Sequence, residues 1–431
     1  MHKLMMPILL GATALTAVPA HAQEKDPQVD ALIAEIQALR AEVAELRGEV
    51  EAGKAAKADT AIKFKATPEL STDDGWKFKV RGRMMYDAAT VDAPDAIDDA
   101  GLGFSNEMRR GRLGVEGDMP GGFGYKAELE FAGGDAEFTD AYVSYEKGDM
   151  EFIVGQHNNF QGLAELTSSL HTQFFERAAF TDAFGFERRV GVSAQYKGDN
   201  LLVQGGLFTD AIGDLDENNN SNGVDGRIVF MPEMGGNQLH FGGSAHYRAL
   251  NDAASSVRYR VRPAVHSTDV RFINTGAIGA TSETGLGLEA AGIFGPLYVA
   301  GETFWQKVGG SPAGDPTFFG AYLEGGYFLT GESRGYKGGK FDRVKVANGF
   351  DKGGIGSIGI NARWDYLDLN DAGIVGGTQN AYQASLNWKP VDYVLFGLNF
   401  AHIVYGDAAI PAAGDRDYSV NVLGLRGQVD F

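Results

Sequence analysis

The segment WKFKVRGRMMY at residues 76–86 sets two solvents against each other along one strand. Side chains of an extended chain alternate between faces, so Trp76, Phe78, Val80, Gly82, Met84 and Tyr86 share one side and Lys77, Lys79, Arg81 and Arg83 the other. A soluble sheet could bury the apolar side and show four cations to water, so this strand alone admits two readings. Similar segments, each roughly 9 to 14 residues long and bounded by turn residues, recur as far as Phe431, which is the pattern of a transmembrane antiparallel β-barrel. The apolar side then meets lipid and the basic side a watery lumen.

The 431 residues carry no Pro-rich or Ser-rich linker after residue 75, so one large architecture is expected there. Beyond the first 22 residues no apolar run approaches the roughly 18 that a spanning helix needs, which leaves strands as the only means of crossing a bilayer. The absence of Cys removes disulfide and thiol chemistry and suits an exported chain. A net charge of −19 argues against nucleic acid as a partner, because phosphate binding requires a basic surface.

Residues 1–22 read as an export signal: a polar start at His2 and Lys3, an apolar centre from Leu4 to Val18, and a cleavage site at Ala20-His21-Ala22. A coiled-coil helix is expected over 23–54, a linker over 55–75 and the barrel over 76–431. Within the helix, Val29, Ile36, Val43 and Val50 occupy a positions of a heptad repeat, and Leu32, Leu39 and Leu46 occupy d positions. Glu35 and Glu42 at g face Arg40 and Arg47 at e of a parallel neighbour, which favours self-association. The β-branched a and Leu d pattern leans towards two helices, whereas barrel pores are usually trimers; a helix packed on its own barrel is the alternative.

Sixteen strands are expected, near 76–86, 105–118, 122–132, 136–146, 149–157, 187–198, 200–209, 223–232, 237–248, 283–294, 296–308, 316–329, 356–369, 378–389, 391–404 and 416–431. An even number of this size suits an aqueous channel. Tight connections such as Gly121-Gly122, Gly148-Asp149 and Gly295-Pro296 alternate with longer ones, so short turns fall on the periplasmic rim and long loops outside. Two long outer connections, His157–Phe186 and Ala249–Ser282, exceed a plain hairpin loop and are expected to fold into the lumen or cap its mouth. The stretch Gly331–Gly354 falls on the short-turn side by parity, so either it also folds inwards or the strand count slips nearby. Trp76, Tyr86, Tyr125, Phe131, Tyr327, Trp364, Trp388 and Phe400 are expected as outward aromatics near strand ends.

From the second strand onwards the chain resembles the phosphate-selective porin O and P family. The resemblance is carried by MRRGRLGVEG at 108–117, FGYKAELEF at 123–131, ELTSS at 165–169 with FFERA at 174–178, YRVRPAVHSTDVRFINTG at 259–276, GYFLTGESRGYKGGKFDRVKV at 326–346 and RWDYLDLNDAGIVGGTQN at 363–380. The final QVDF with its terminal aromatic is similar to the assembly signal of outer-membrane barrels. One departure is Gly356-Ser357-Ile358-Gly359, where family members often show an aromatic residue and a Glu. The resemblance implies a homotrimer of sixteen-stranded barrels in the outer membrane, with inward loops and a periplasmic helical extension.

The basic rungs carry the mechanism. Lys77, Lys79, Arg81 and Arg83 lie beside Arg110 and Arg112 on the expected lumen face, where successive guanidinium groups can pass an anion along. The alternative is that they pair with Glu116, Glu128, Glu130 and Asp140 on the same face. In the long outer loops, Glu165, Arg177, Arg260 and Arg262 are candidates for a constriction. Asp214-x-Asp216-x-Asn218-x-Asn220 is similar to a calcium loop, but Asn219 stands where the turn needs Gly. The His residues lack ligand spacing and no nucleophile motif is present, so neither a metal, a cofactor nor an enzymatic activity is expected. The expected function is passive diffusion of small hydrophilic solutes through an outer-membrane porin, leaning towards phosphate or other oxyanions. The alternatives are a general or carbohydrate porin with Tyr142 and Tyr322 along a sugar path, or a barrel tethered to the cell wall through its N-terminal helix.

Overall fold

The structure, a computed structural model, describes residues 27–55, 60–65, 67–215, 220–251 and 255–431. The expected export signal and residues 216–219 of the calcium-like loop lie outside the described residues. Residues up to Thr60 form one compact unit and Ala61–Phe431 another. Among its described residues the first holds the helix α1 (Pro27–Ala55). Pro27 suits its first position, where the missing N–H has no helical partner to lose. Ile36, Leu39, Val43 and Leu46 are 44–54% exposed, so this part of the heptad seam faces solvent.

The second unit is a closed antiparallel barrel. Its strands are β1 (Lys77–Asp92), β2 (Gly103–Met119), β3 (Phe123–Glu130), β4 (Glu137–Lys147), β5 (Met150–Asn158), β6 (Arg188–Lys197), β7 (Leu201–Phe208) and β8 (Asn222–Phe230). There follow β9 (Asn237–Ala249), β10 (Ser282–Phe294), β11 (Leu297–Gly309), β12 (Thr317–Phe328), β13 (Ser357–Asp371), β14 (Ile374–Val391), β15 (Val394–Gly406) and β16 (Tyr418–Asp430). Each pairs with the next, and β16 closes on β1 from Asn421↔Asp92 to Asp430↔Arg83. All sixteen expected strands are present, but the expected linker 55–75 is not a plain connection: Thr60–Lys65 and Thr67–Thr72 are extended, and the second pairs with β1 from Glu69↔Lys79 to Ser71↔Lys77. The largest boundary difference is at β1, which runs on to Asp92 past the expected 86; β14 begins early, at Ile374, because Ala372 and Gly373, both at positive φ, make a two-residue turn from β13. Such a turn matches strand twist and lets the ladder continue to its tip.

Closure has its own packing. Gly82 and Phe431 exchange backbone hydrogen bonds, each 3.0 Å, and the Phe431 ring lies over Gly82 so closely that a Cβ there would sit 2.1 Å from Cζ. Along the wall, outward Met84, Leu113, Leu288, Leu323 and Leu425 are exposed, as a lipid-facing surface requires. Most of the expected outward aromatics are exposed too, but Tyr86, Trp364 and Phe400 fall in mid-strand rather than near strand ends, Tyr86 because β1 runs on to Asp92.

The connection 329–356 lies at the short-turn end, so the parity holds and no strand pair slips. It folds inwards. Its hairpin, Gly335–Lys337 with Lys340–Asp342, is gripped by two lumen-wall residues: Arg227 donates to Gly339 O at 2.8 Å, and the His240 Nδ1 lies 2.6 Å from the Tyr336 hydroxyl. From the opposite mouth, residues 159–187 also enter the lumen, bearing short helices α2 (Leu163–Leu166) and α3 (Ala179–Ala183). Phe180, Phe184, Phe304, Tyr259 and Phe318 pack between this loop, the 250–281 loop and β11–β12, so an apolar core fills one side of the lumen. Water is left the other side, along the basic strands.

Candidate pore and its charged lining

Loop 159–187 is held by the wall at many points. Glu302 of β11 accepts hydrogen bonds from the Leu163 and Ala164 backbone N–H groups at 2.9 and 2.6 Å and from the Tyr322 hydroxyl at 2.8 Å. Asp365 accepts from Ala179 N–H at 2.9 Å, while Arg363 and Arg426 donate to the carbonyls of Glu176 and Phe175. These contacts satisfy backbone groups that a loop buried in a lumen cannot give to water. They make the loop a fixed shelf across the barrel.

A cavity of about 1140 Å³ lies between this shelf and β1–β7. A smaller one of about 140 Å³ lies on the side of the 250–281 loop. Arg110, Glu165, Arg177 and Phe186 line both, and so mark the throat between them. Arg81, Arg83 and Arg112 line the larger cavity and Arg262 the smaller. Lys77, Lys79 and Arg260 line neither: Lys77 pairs with Asp118 at the end of the wall, and Arg260 is exposed on its loop. Tyr322 is 5% exposed beneath the inward loop with its hydroxyl on Glu302, so it does not line a solute path, whereas Tyr142 lines the larger cavity.

The rungs are paired, and their carboxylates are shared. Arg83 and Arg112 both reach Glu128, at 3.2 and 3.0 Å, while Arg112 and Arg110 both reach Glu130, at 2.7 and 3.4 Å. Lys126 and Arg188 both reach Asp140, at 2.5 and 2.8 Å, and only Arg81 has a carboxylate, Glu116, to itself within this group. Eleven Lys and Arg residues line the larger cavity against seven Asp and Glu. Among the described residues, Lys337 and Lys340 at the tip of the inward hairpin make no ion pair.

A β-bulge adds one cation that alternation hides. Opposite Met85 and Tyr86 stand Arg110 and Met108, so Arg109 is the extra residue, and Arg109 and Arg110 both turn inwards. Arg109 makes a two-pronged pair with Glu176 of the inward loop, both distances 2.7 Å. Burial works against the Glu176 carboxylate, but the Arg109 guanidinium outweighs it and holds the group below the usual carboxylate range. Lys126 and Arg188 were within reach of strict alternation; Arg109, Lys337 and Lys340 were not.

Comparison with known proteins agrees with this geometry. The chain is 46% identical over 388 residues to an uncharacterized protein of Caulobacter vibrioides, covering 88% of this chain and 78% of that one. It is 26% identical over 379 residues to Porin O of Pseudomonas aeruginosa, covering 78% and 85%. The anion-selective porin of Comamonas acidovorans shares the fold, with a TM-score of 0.54 at 12% identity over 83% of this chain and 100% of that chain. Residues 78–431 match the family of phosphate-selective porins O and P, and the chain therefore belongs to that family, an outer-membrane channel built as a sixteen-stranded barrel.

Proposed function

We propose that the channel passes small anions, phosphate or other oxyanions among them, by passive diffusion along the wall formed by β1–β3. The observation that carries this reading is the sharing of carboxylates: three arginines, Arg83, Arg110 and Arg112, divide two glutamates between them. A passing anion meets guanidinium groups whose donors are only partly engaged, and at ~5 Å each attracts it by roughly 3 kcal/mol at an effective dielectric near 20. The paired acids moderate that attraction, which favours passage over tight retention. Lys337 and Lys340 extend the positive field towards the periplasmic mouth, and Glu165 with Arg177 narrows the path between the two cavities. We further read residues 1–22 as a cleaved export signal and the exposed heptads of α1 as a periplasmic coiled coil that joins the copies of a homotrimer. The test is the reversal potential of the purified channel in a salt gradient across a planar bilayer. A potential of the sign set by chloride supports the reading; one set by potassium overturns it.

A further inference from the structure

The larger cavity has an apolar wall as well as a charged one, and the two meet at Tyr142. In the register of β3 and β4, Lys126 stands opposite Tyr142, and Asp140 lies two residues before it on the same face. Asp140 is the one carboxylate that Lys126 and Arg188 both pair with, two cations on one acid, apart from the Arg83, Arg110 and Arg112 group. The Tyr142 ring is half-buried, and among the described residues its hydroxyl makes no hydrogen bond. Behind it an aromatic cluster continues through His157 at 6.1 Å between ring centroids and Phe208 at 5.2 Å from that. The turn Ile212–Asp214 packs on β4, held by the Ile212 N–H donating to Gln156 at 2.6 Å, and leaves Ile212 39% exposed in the lining of the same cavity.

Resting on the anion passage proposed above, we infer that Lys126, Arg188, Tyr142 and Ile212 form a second site, selective for organic anions with an aryl or compact apolar body. The anionic head lies between Lys126 and Arg188, and the body lies on the Tyr142 ring and Ile212. An inorganic oxyanion uses only the first half of such a site. A cavity of about 1140 Å³ leaves ample room for the second, since pockets for organic ligands are commonly on the order of 300–1,000 Å³.

The experiment is block of chloride current in planar bilayers by inorganic phosphate and by phenyl phosphate, at a pH where both are mainly dianions. Phenyl phosphate is expected to reach half-block at a concentration about three- to tenfold lower, the worth of one aromatic contact. Tyr142→Ala should bring the two blockers within about twofold of each other, Tyr142→Phe should keep the preference, and Ile212→Ser, in a loop outside the barrel strands, should reduce it. Arg188→Gln should weaken block by both. Equal block by the two compounds in the wild type, or a preference that survives Tyr142→Ala, overturns the inference and leaves the anion reading standing. Absence of block by either compound, together with a cation-set reversal potential, overturns both.

Discussion

Arg109 of β2 holds Glu176 of the inward loop in a two-pronged pair, Nε on Oε1 and Nη2 on Oε2, both at 2.7 Å, and it can do so because the strand bulges at that residue. The pair joins the pore wall to the shelf that narrows it. Arg426 stands 3.9 Å from the same carboxylate but spends its own two prongs on Asp87, at 2.7 and 2.6 Å. Removing one partner of a fully buried pair costs about 3–5 kcal/mol, because the other charge is left uncompensated; here Glu176 keeps 24% of its side chain exposed, so the cost is smaller. Arg109→Ala is therefore expected to loosen the shelf without unmaking the barrel. Single-channel recordings should show larger and noisier conductance, with the double variant Arg109→Ala, Glu176→Ala milder than Arg109→Ala alone. Unchanged noise in Arg109→Ala would show that the other anchors suffice.

The same pair predicts a pH response. The folded-state pKa of Glu176 is depressed, so its contribution to stability is present above the ordinary glutamate value of about 4.3 and is lost only as pH falls through the lower folded value. Between about pH 4 and 5, where a free glutamate half-titrates, the loop should stay clamped. Conductance noise should be flat across that interval in the wild type. In Arg109→Ala, where Glu176 lacks its main counter-charge, noise should instead fall as pH drops through the same interval, because protonation removes the uncompensated carboxylate as Glu176→Ala does in the double variant. A wild-type transition near the ordinary glutamate value would contradict the clamp.

Charge reversal tests the rungs. Arg83→Glu with Arg110→Glu replaces two attractions of a few kcal/mol at ~5 Å with repulsions of similar size. It also leaves Glu128 and Glu130 beside new carboxylates, so the reversal potential should move strongly towards cation preference. The shift should shrink at high salt, where the Debye length falls to about 3 Å at 1 M. Lysine at both positions should keep the sign of selectivity but weaken block by an oxyanion, since the planar fork is lost. A reversal potential that ignores Arg83→Glu with Arg110→Glu would mean that these rungs do not set selectivity.

Barrel closure is expected to depend on Gly82 having no side chain, because the Phe431 ring occupies the space above it. A side chain there meets the Phe431 ring, with the Cβ itself 2.1 Å from Cζ, so Gly82→Leu must expel the ring from the seam. The temperature needed to unfold the barrel in detergent should fall, because the ring loses its seat on the seam and the larger side chain adds strain of about 1–3 kcal/mol. Adding Phe431→Ala to Gly82→Leu should cost less than the sum of the two single changes, because they remove the same contact. Strict additivity would count against the contact.

Deletion of residues 29–50 should leave a conducting pore, because no lumen-facing strand is touched, and should lower the fraction of oligomer that survives mild detergent. Native-gel mobility after titration with detergent measures it. An oligomer of unchanged resistance would assign the α1 seam to some other partner.

Much of this protein was legible from period two alone. A strand that separates lipid from water must alternate, so Lys77 to Tyr86 and its fifteen successors declare the barrel, its parity and the sides on which Arg81, Arg83, Arg110 and Arg112 lie. Alternation is a local rule, and it fails where the chain departs from it locally. The bulge at Arg109 turns two consecutive arginines inwards, and no spacing in MRRGR announces it, because bulge formation depends on the partner strand. The stretch Gly331–Gly354 is no short turn, and contacts from the lumen wall, Arg227 and His240 among them, showed that it enters the barrel. Pairing with Glu128, Glu130 and Asp140 stood in the sequence only as the alternative to a free ladder; that Arg83, Arg110 and Arg112 divide Glu128 and Glu130, while Lys126 and Arg188 divide Asp140, depends on distances between strands. The sequence by itself determined which residues face water and which face lipid, through the periodicity that a bilayer imposes. Tertiary structure decided which of those water-facing charges remain available to a solute, because that depends on loops arriving from both mouths and on contacts between residues as far apart as Arg109 and Glu176.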